Sequence, residues 1–189
     1  MLGANHTKQF WANEVRVMRI FNDYWIALVV SFLFTCIHTW ALSVSLDGGA
    51  NGMAYICGVA VINFALSFVW CVILLLALER IDANHLRLTF VVFFTVVTLP
   101  LVAFLGAWLN FSMIEWATAY ERFPRFPSEI HFKFLRATAE KIYMPASAAL
   151  SSLLVVTSHV FFRLRQKVSA YSFAVLAALC LVVTISMGV

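Results

Sequence analysis

Apolar residues in this chain come in long unbroken runs, without the alternating or one-sided patterns of a water-soluble fold. A helix rises about 1.5 Å per residue, so about 20 mainly apolar residues carry it through a hydrocarbon layer about 30 Å thick. The runs of that length are Tyr24–Ser45, Met53–Leu78, Leu88–Ser112, Pro145–Phe162 and Ala170–Gly188. They predict an all-α polytopic membrane protein, a bundle of five transmembrane helices forming one domain over residues 1–189. Residues 1–23 precede the first span, 24–112 hold spans one to three, 113–144 form an outer loop, and 145–189 hold spans four and five.

Punctuation between the runs supports short connections. Gly48-Gly49 and Asn51-Gly52 predict a tight first turn, and "ERIDANHLR" a second. Pro100 predicts a kink in the third span, with Thr95 or Thr98 placed to satisfy the freed carbonyl. Small residues four apart predict faces where backbones approach closely: Ser147 with Ser151, Ala148 with Ser152, and Ala170, Ala174 and Ala178.

Two segments break the apolar monotony. From Lys8 to Phe21, Phe10, Trp11, Val15, Val17, Met18 and Phe21 share one helical face, and Lys8, Gln9, Asn13, Arg16 and Arg19 the other. This pattern predicts an amphipathic helix in the inner headgroup region. Glu14 falls in its apolar sector, so it either snorkels or meets a basic group on another chain. The second segment runs from Ile114 to Pro145. Its "RFPRFP" is extended, because each proline restrains the residue before it, and Ser128 then caps a helix reaching Tyr143. There Glu129, Lys133, Arg136 and Glu140 form one narrow charged stripe on an otherwise apolar helix. An interfacial helix between spans three and four, half sunk in lipid or pressed on a partner protein, fits that pattern.

Composition agrees with the pattern: 63% of residues are hydrophobic and 12% charged, where average usage is about 25% charged. The net charge of +4 is spread over connections without a base-reading stripe, which gives no nucleic-acid signal. Cys36, Cys57, Cys71 and Cys180 form no CxxC pair and read as small buried hydrophobes. No cleavable signal peptide opens the chain. Lys8, Arg16 and Arg19, then Arg80 and Arg87, then Arg163, Arg165 and Lys167 fall on one side. That places the N-terminus inside and the C-terminus outside, against the opposing Arg122, Arg125, Lys133, Arg136 and Lys141. A bacterial inner membrane or an organelle inner membrane is the expected location. Trp25, Trp40, Trp108 and Trp116 fall near the predicted interfaces.

Candidate chemistry is sparse. No acidic or basic residue lies in the interior of a span, which argues against a proton- or ion-driven transporter. His38 and Asn63 are the most polar groups well inside, and His159 lies one turn before Arg163. His38 and His159 raise the possibility of haem b, but their levels differ by about 11 Å at 1.5 Å per residue. Each imidazole is instead expected to bond a hydroxyl or carbonyl nearby, Thr35 or Thr39 in the case of His38. His85 and His131 lie in connections. No metal site is expected, Glu115, Glu121 and His131 being the nearest approach to one. Asn110-Phe-Ser112 matches a glycosylation sequon, set too close to the membrane for use.

From Leu105 to Val189 the chain resembles the anthrone-oxygenase-like group of small membrane proteins. The likeness rests on Gly106, Arg122, Pro124, Tyr143 and Pro145, in an arrangement of apolar span, aromatic loop and apolar span. Two further spans precede it, the Asn-Pro-Asn-type segment of that group is absent, and no catalytic residue is carried over. Three readings follow. The first is a non-catalytic subunit of a larger membrane complex, held by helix packing and by Glu14, Glu129, Lys133, Arg136 and Glu140, with bound lipids and no cofactor. The second is a small enzyme acting on a lipid-soluble substrate, quinone-like or polyketide, through His131, Glu121 and Arg122. The third is a carrier of a lipid or neutral solute, with Pro100 and Asn63 in its path.

Overall fold

A computed structural model of the chain describes residues 3–43, 49–119 and 143–188. Those residues form α1 (Gly3–Ser43), α2 (Gly49–Glu79), α3 (Asn84–Ala119), α4 (Met144–Arg163) and α5 (Lys167–Gly188). All five are long and apolar enough to cross a membrane, over Phe21–Ala41, Ile56–Glu79, His85–Ser112, Met144–Arg163 and Lys167–Ser186. Each window begins within a few residues of the run that predicts it. The expected first turn shifts, because Asn51 and Gly52 lie inside α2. The second turn falls at Arg80–Ala83, where the Arg87 Nε donates to the Ile81 carbonyl at 2.6 Å.

The segment Lys8–Phe21 is helical and continuous with the first span. At 41 residues, α1 is about 60 Å long at 1.5 Å per residue. The charged stripe from Glu129 to Glu140, and Glu121, Arg122 and His131, lie outside the described residues.

The bundle is built around α4, which touches all four other helices, whereas α3 packs on α2 and α4. Of the apolar stretch of α4, 61% is buried inside the protein, against 11% for α3. Small side chains explain the central place. Ala148, Ala149, Ser151 and Ser152 are fully buried, so neighbouring backbones come close on several sides at once. Leu74, Leu153, Val156 and Phe161 fill the space between them. The outward faces carry Phe93, Val96, Phe104, Val175 and Val182, a surface suited to hydrocarbon and costly in water. Trp25, Trp40 and Trp108 point outward too, each more than half exposed.

Three expectations need correction. The seam of α5 is Ala170, Phe173, Ala177 and Thr184, while Ala174 and Ala178 are exposed. Helices packed nearly antiparallel meet with a repeat of about 3.5 residues, and a strict spacing of four drifts off that line. Helix α3 continues through Pro100, and Thr98, expected to meet the carbonyl that Pro100 frees, donates instead to that of Phe94 while accepting from Trp70 Nε1 at 2.8 Å. Thr98 thus serves a bond between α2 and α3. Of the cysteines, Cys71 is buried, but Cys36 and Cys57 face outward and Cys180 is half-buried.

The hairpin from α4 to α5 closes tightly. Gln166 N–H donates to the Phe161 carbonyl and Arg165 N–H to that of Phe162, with Arg165 at φ 60°. That pattern ends a helix with a left-handed residue and satisfies its last carbonyls. Ser158 Oγ adds a bond to the Ala170 carbonyl at 2.8 Å.

Candidate functional site

On α1 the residues Asp23, Ala27, Ser31, Thr35 and Thr39 recur at intervals of four and are all buried. Each step of four advances about 40° around a helix of 3.6 residues per turn, so the series winds across the sides of α1 turned to α2 and α4. Thr35 and Thr39 on α1, Ser67 on α2, and Ser151 and Thr157 on α4 bury hydroxyls that have no hydrogen-bond partner among the described residues. The inside of this bundle is therefore more polar than its outside. Two hydrogen-bonded clusters terminate that interior.

At one end Asp23 is 5% exposed. Its carboxylate pairs with Arg163 and lies 3.4 Å from His159 Nε2. His159 and Arg163 are four apart on α4, so both reach the same carboxylate. The sequence reading places Asp23 one residue outside the first span and leaves it without a role.

At the other end His38 is 1% exposed. Its Nδ1 lies 2.6 Å from the Phe34 carbonyl and its Nε2 3.2 Å from Ser147 Oγ. A carbonyl only accepts, so Nδ1 carries the proton, and in the neutral ring Nε2 is left to accept from the serine hydroxyl. Ser147 Oγ lies 3.8 Å from Cys180 Sγ and also meets Thr184 Oγ1. With the serine proton turned to His38, Ser147 accepts here from the Thr184 hydroxyl, which is shared with the Cys180 carbonyl at 2.8 Å. The cluster joins α1, α4 and α5. His38 thus bonds a carbonyl and a hydroxyl as expected of its class, but the hydroxyl comes from α4 instead of Thr35 or Thr39.

Ser147 and Thr184 form the polar edge of a cavity of about 460 Å³ between α4 and α5. Its walls are Leu150, Leu154, Leu176, Leu179 and Val183, with Tyr143 and Cys180 beside the polar edge. Leu176 and Leu179 are about half exposed, so the cavity opens sideways through the outer face of the bundle. The Tyr143 hydroxyl is buried without a hydrogen-bond partner among the described residues. Burial raises its pKa above the ordinary phenol value, which keeps it a donor.

The remaining candidates resolve as follows. Asn63 is 3% and Asn110 2% exposed, and the Asn110 amide donates to Asn63 Oδ1 at 3.1 Å. Asn63 therefore ties α2 to α3, and Asn110, the sequon residue, has its side chain taken up in the same bond. His38 stands beside Ser147 and His159 twelve residues farther along α4, about 18 Å at 1.5 Å per residue. That exceeds the expected 11 Å, and the two imidazoles do not fit one haem iron. Among the described residues, no three His, Cys, Asp or Glu side chains converge as a metal site requires. Glu14 lies on α1, in the part whose side chains are outside the described set. Gly106 and Pro145 pack face to face, so closely that a Cβ on Gly106 would sit 2.5 Å from the Pro145 Cβ.

Compared with protein-family models, curated proteins and solved structures, the chain matches none.

Proposed function

We propose that this chain is a multi-pass membrane protein that takes a lipid-soluble molecule from the bilayer into the cleft between α4 and α5. The molecule's polar head rests at the His38 cluster. The observation that carries this reading is the cavity itself: apolar walls open toward the lipid side and a hydrogen-bonding edge at Tyr143, Ser147 and Thr184. Its volume of about 460 Å³ lies within the range of roughly 300–1,000 Å³ typical of small-molecule sites. The walls suit an alkyl chain or flat ring, and the edge suits a carbonyl or hydroxyl. This choice favours a lipid-soluble ligand over a charged one, because among the described residues no cation or carboxylate lines the cavity. In this reading the N-terminus faces inward, as the basic residues indicate, and the polar part of α1 meets the inner headgroups.

A fatty acid carrying a photoreactive diazirine, incorporated with the protein into lipid nanodiscs, tests the idea. Cross-links should concentrate on Tyr143–Leu154 and Leu176–Thr184, and Leu179→Trp should reduce them severalfold. Even labelling of all outward faces, unaffected by Leu179→Trp, would remove the reading.

The subunit reading has its own support in α3, whose apolar face is covered least by this chain. A stoichiometric partner travelling with the protein after mild extraction, cross-linking to Phe93, Val96 or Phe104, is its expected result.

A further inference from the structure

The His38 cluster holds more than a ligand's head requires. We infer that Ser147 is a nucleophile and His38 its general base, and that the cleft acts on long-chain acyl esters; this rests on the lipid-binding reading above. Ser147 Oγ and His38 Nε2 are 3.2 Å apart, at the limit of the range of roughly 2.6–3.2 Å expected of a nucleophile and its base. The base is itself oriented by a third group, because the Phe34 carbonyl holds Nδ1 at 2.6 Å and turns Nε2 toward the serine. The order in space is also right. His38 is buried behind Ser147, while Ser147 borders the cavity. Tyr143, one turn before Ser147 on the same wall of the cavity, carries a buried hydroxyl with no partner among the described residues.

Depth selects the substrate. His38 lies three residues from the end of its span at Ala41, and Ser147 three from the start of its span at Met144. Both positions are about 5 Å inside the apolar stretch. The ester groups of acyl lipids lie at this boundary, with their chains directed inward. An acyl chain entering the cleft would lie along Leu150, Leu154, Leu176 and Leu179 and bring its carbonyl to Ser147.

The step balances without an oxidant or a metal. As Ser147 Oγ bonds to the acyl carbon, its proton passes to His38 Nε2. The bond from that carbon to the alcohol oxygen then breaks, and the leaving alcohol takes the proton from His38. Water, admitted from the nearby interface, attacks the acyl-serine with His38 again as base, releasing the fatty acid and restoring Ser147.

A long-chain alkyl fluorophosphonate bearing a fluorophore, applied to the full chain in nanodiscs, reports on this directly. The expected result is one phosphonate on Ser147 by peptide mass spectrometry. Ser147→Ala should abolish it, and His38→Gln should slow it by about 100-fold. Ser172→Ala, on the exposed face of α5, should leave it unchanged. Circular dichroism and the diazirine cross-link run on the same samples separate loss of fold from loss of chemistry. If Ser147 stays unmodified in wild-type protein that cross-links in the cleft, the nucleophile assignment is wrong and lipid binding stands. If cross-linking in the cleft is absent too, both fall. Modification of another residue, Thr184 included, also overturns the assignment.

Discussion

Two histidines lie between α1 and α4 at opposite ends of the bundle, and their surroundings differ in kind. His159 is about one-third exposed and shares a carboxylate with Arg163, so its end is an ionic clasp. His38 is sealed in and, among the described residues, bonds neutral groups, a carbonyl and a hydroxyl, with a cavity beyond the hydroxyl. The clasp is closed by its ion pair, in which the Asp23 carboxylate meets Arg163. The His38 end has an open side, where Ser147 faces space. The same residue type thus holds two helices together at one end and, at the other, forms the back wall of a site.

Removing the clasp should give the largest effect. Asp23→Ala leaves Arg163 without its carboxylate; breaking a buried pair costs about 3–5 kcal/mol. Arg163 and His159 are 36% and 32% exposed, and solvent softens the loss to about 2 kcal/mol. Thermal unfolding in detergent should show a drop of several degrees, with the cleft cross-link retained in protein that remains folded. An effect of comparable size is expected near the other end. Gly106→Ala drives a methyl into Pro145 and must push α3 from α4. Overpacking of this kind costs about 1–3 kcal/mol. Because Pro145 is only two residues from Ser147, the same variant should lower cleft cross-linking, which Asp23→Ala should not. The smallest effect belongs to the bond between Asn63 and Asn110, which joins α2 to α3. A double-mutant cycle to leucine should return a coupling of about 0.6 kcal/mol, the average for such bonds within membranes. It should leave cross-linking untouched. A cleft that responds equally to all of these changes would dissolve the distinction between clasp and site.

The spans were legible because length and apolarity alone decide them, and a helix with every backbone group bonded internally needs no information from its neighbours. Which helices meet, and in what register, was not. His38 was expected to find Thr35 or Thr39 because those are its neighbours in sequence, yet its partner is 109 positions away. Asp23 sits at the edge of an apolar run, where nothing local announces the Arg163 and His159 that it meets on α4. The alanines of α5 misled for the opposite reason: spacing by four was visible, but a long contact follows a shorter repeat. Glu121, Arg122 and His131, which the sequence offers for catalysis, belong to a stretch outside the described residues. The Ser147–His38 pair had no linear signature at all.

The central position of α4 has a consequence for how the protein is made. The spans of α1 and α4 have mean hydropathies of 1.6 and 1.5, against 2.3 to 2.6 for the other three. The two helices least at ease in lipid are therefore those that carry both polar clusters and cover each other. Yet α4 leaves the ribosome about 120 residues after Asp23, on the order of ten seconds later at roughly 5–20 residues per second. During that interval the carboxylate and hydroxyls of α1 have little shelter beyond α2. A nascent chain cut short before Met144 should consequently be the form on which membrane insertases and quality-control proteases act.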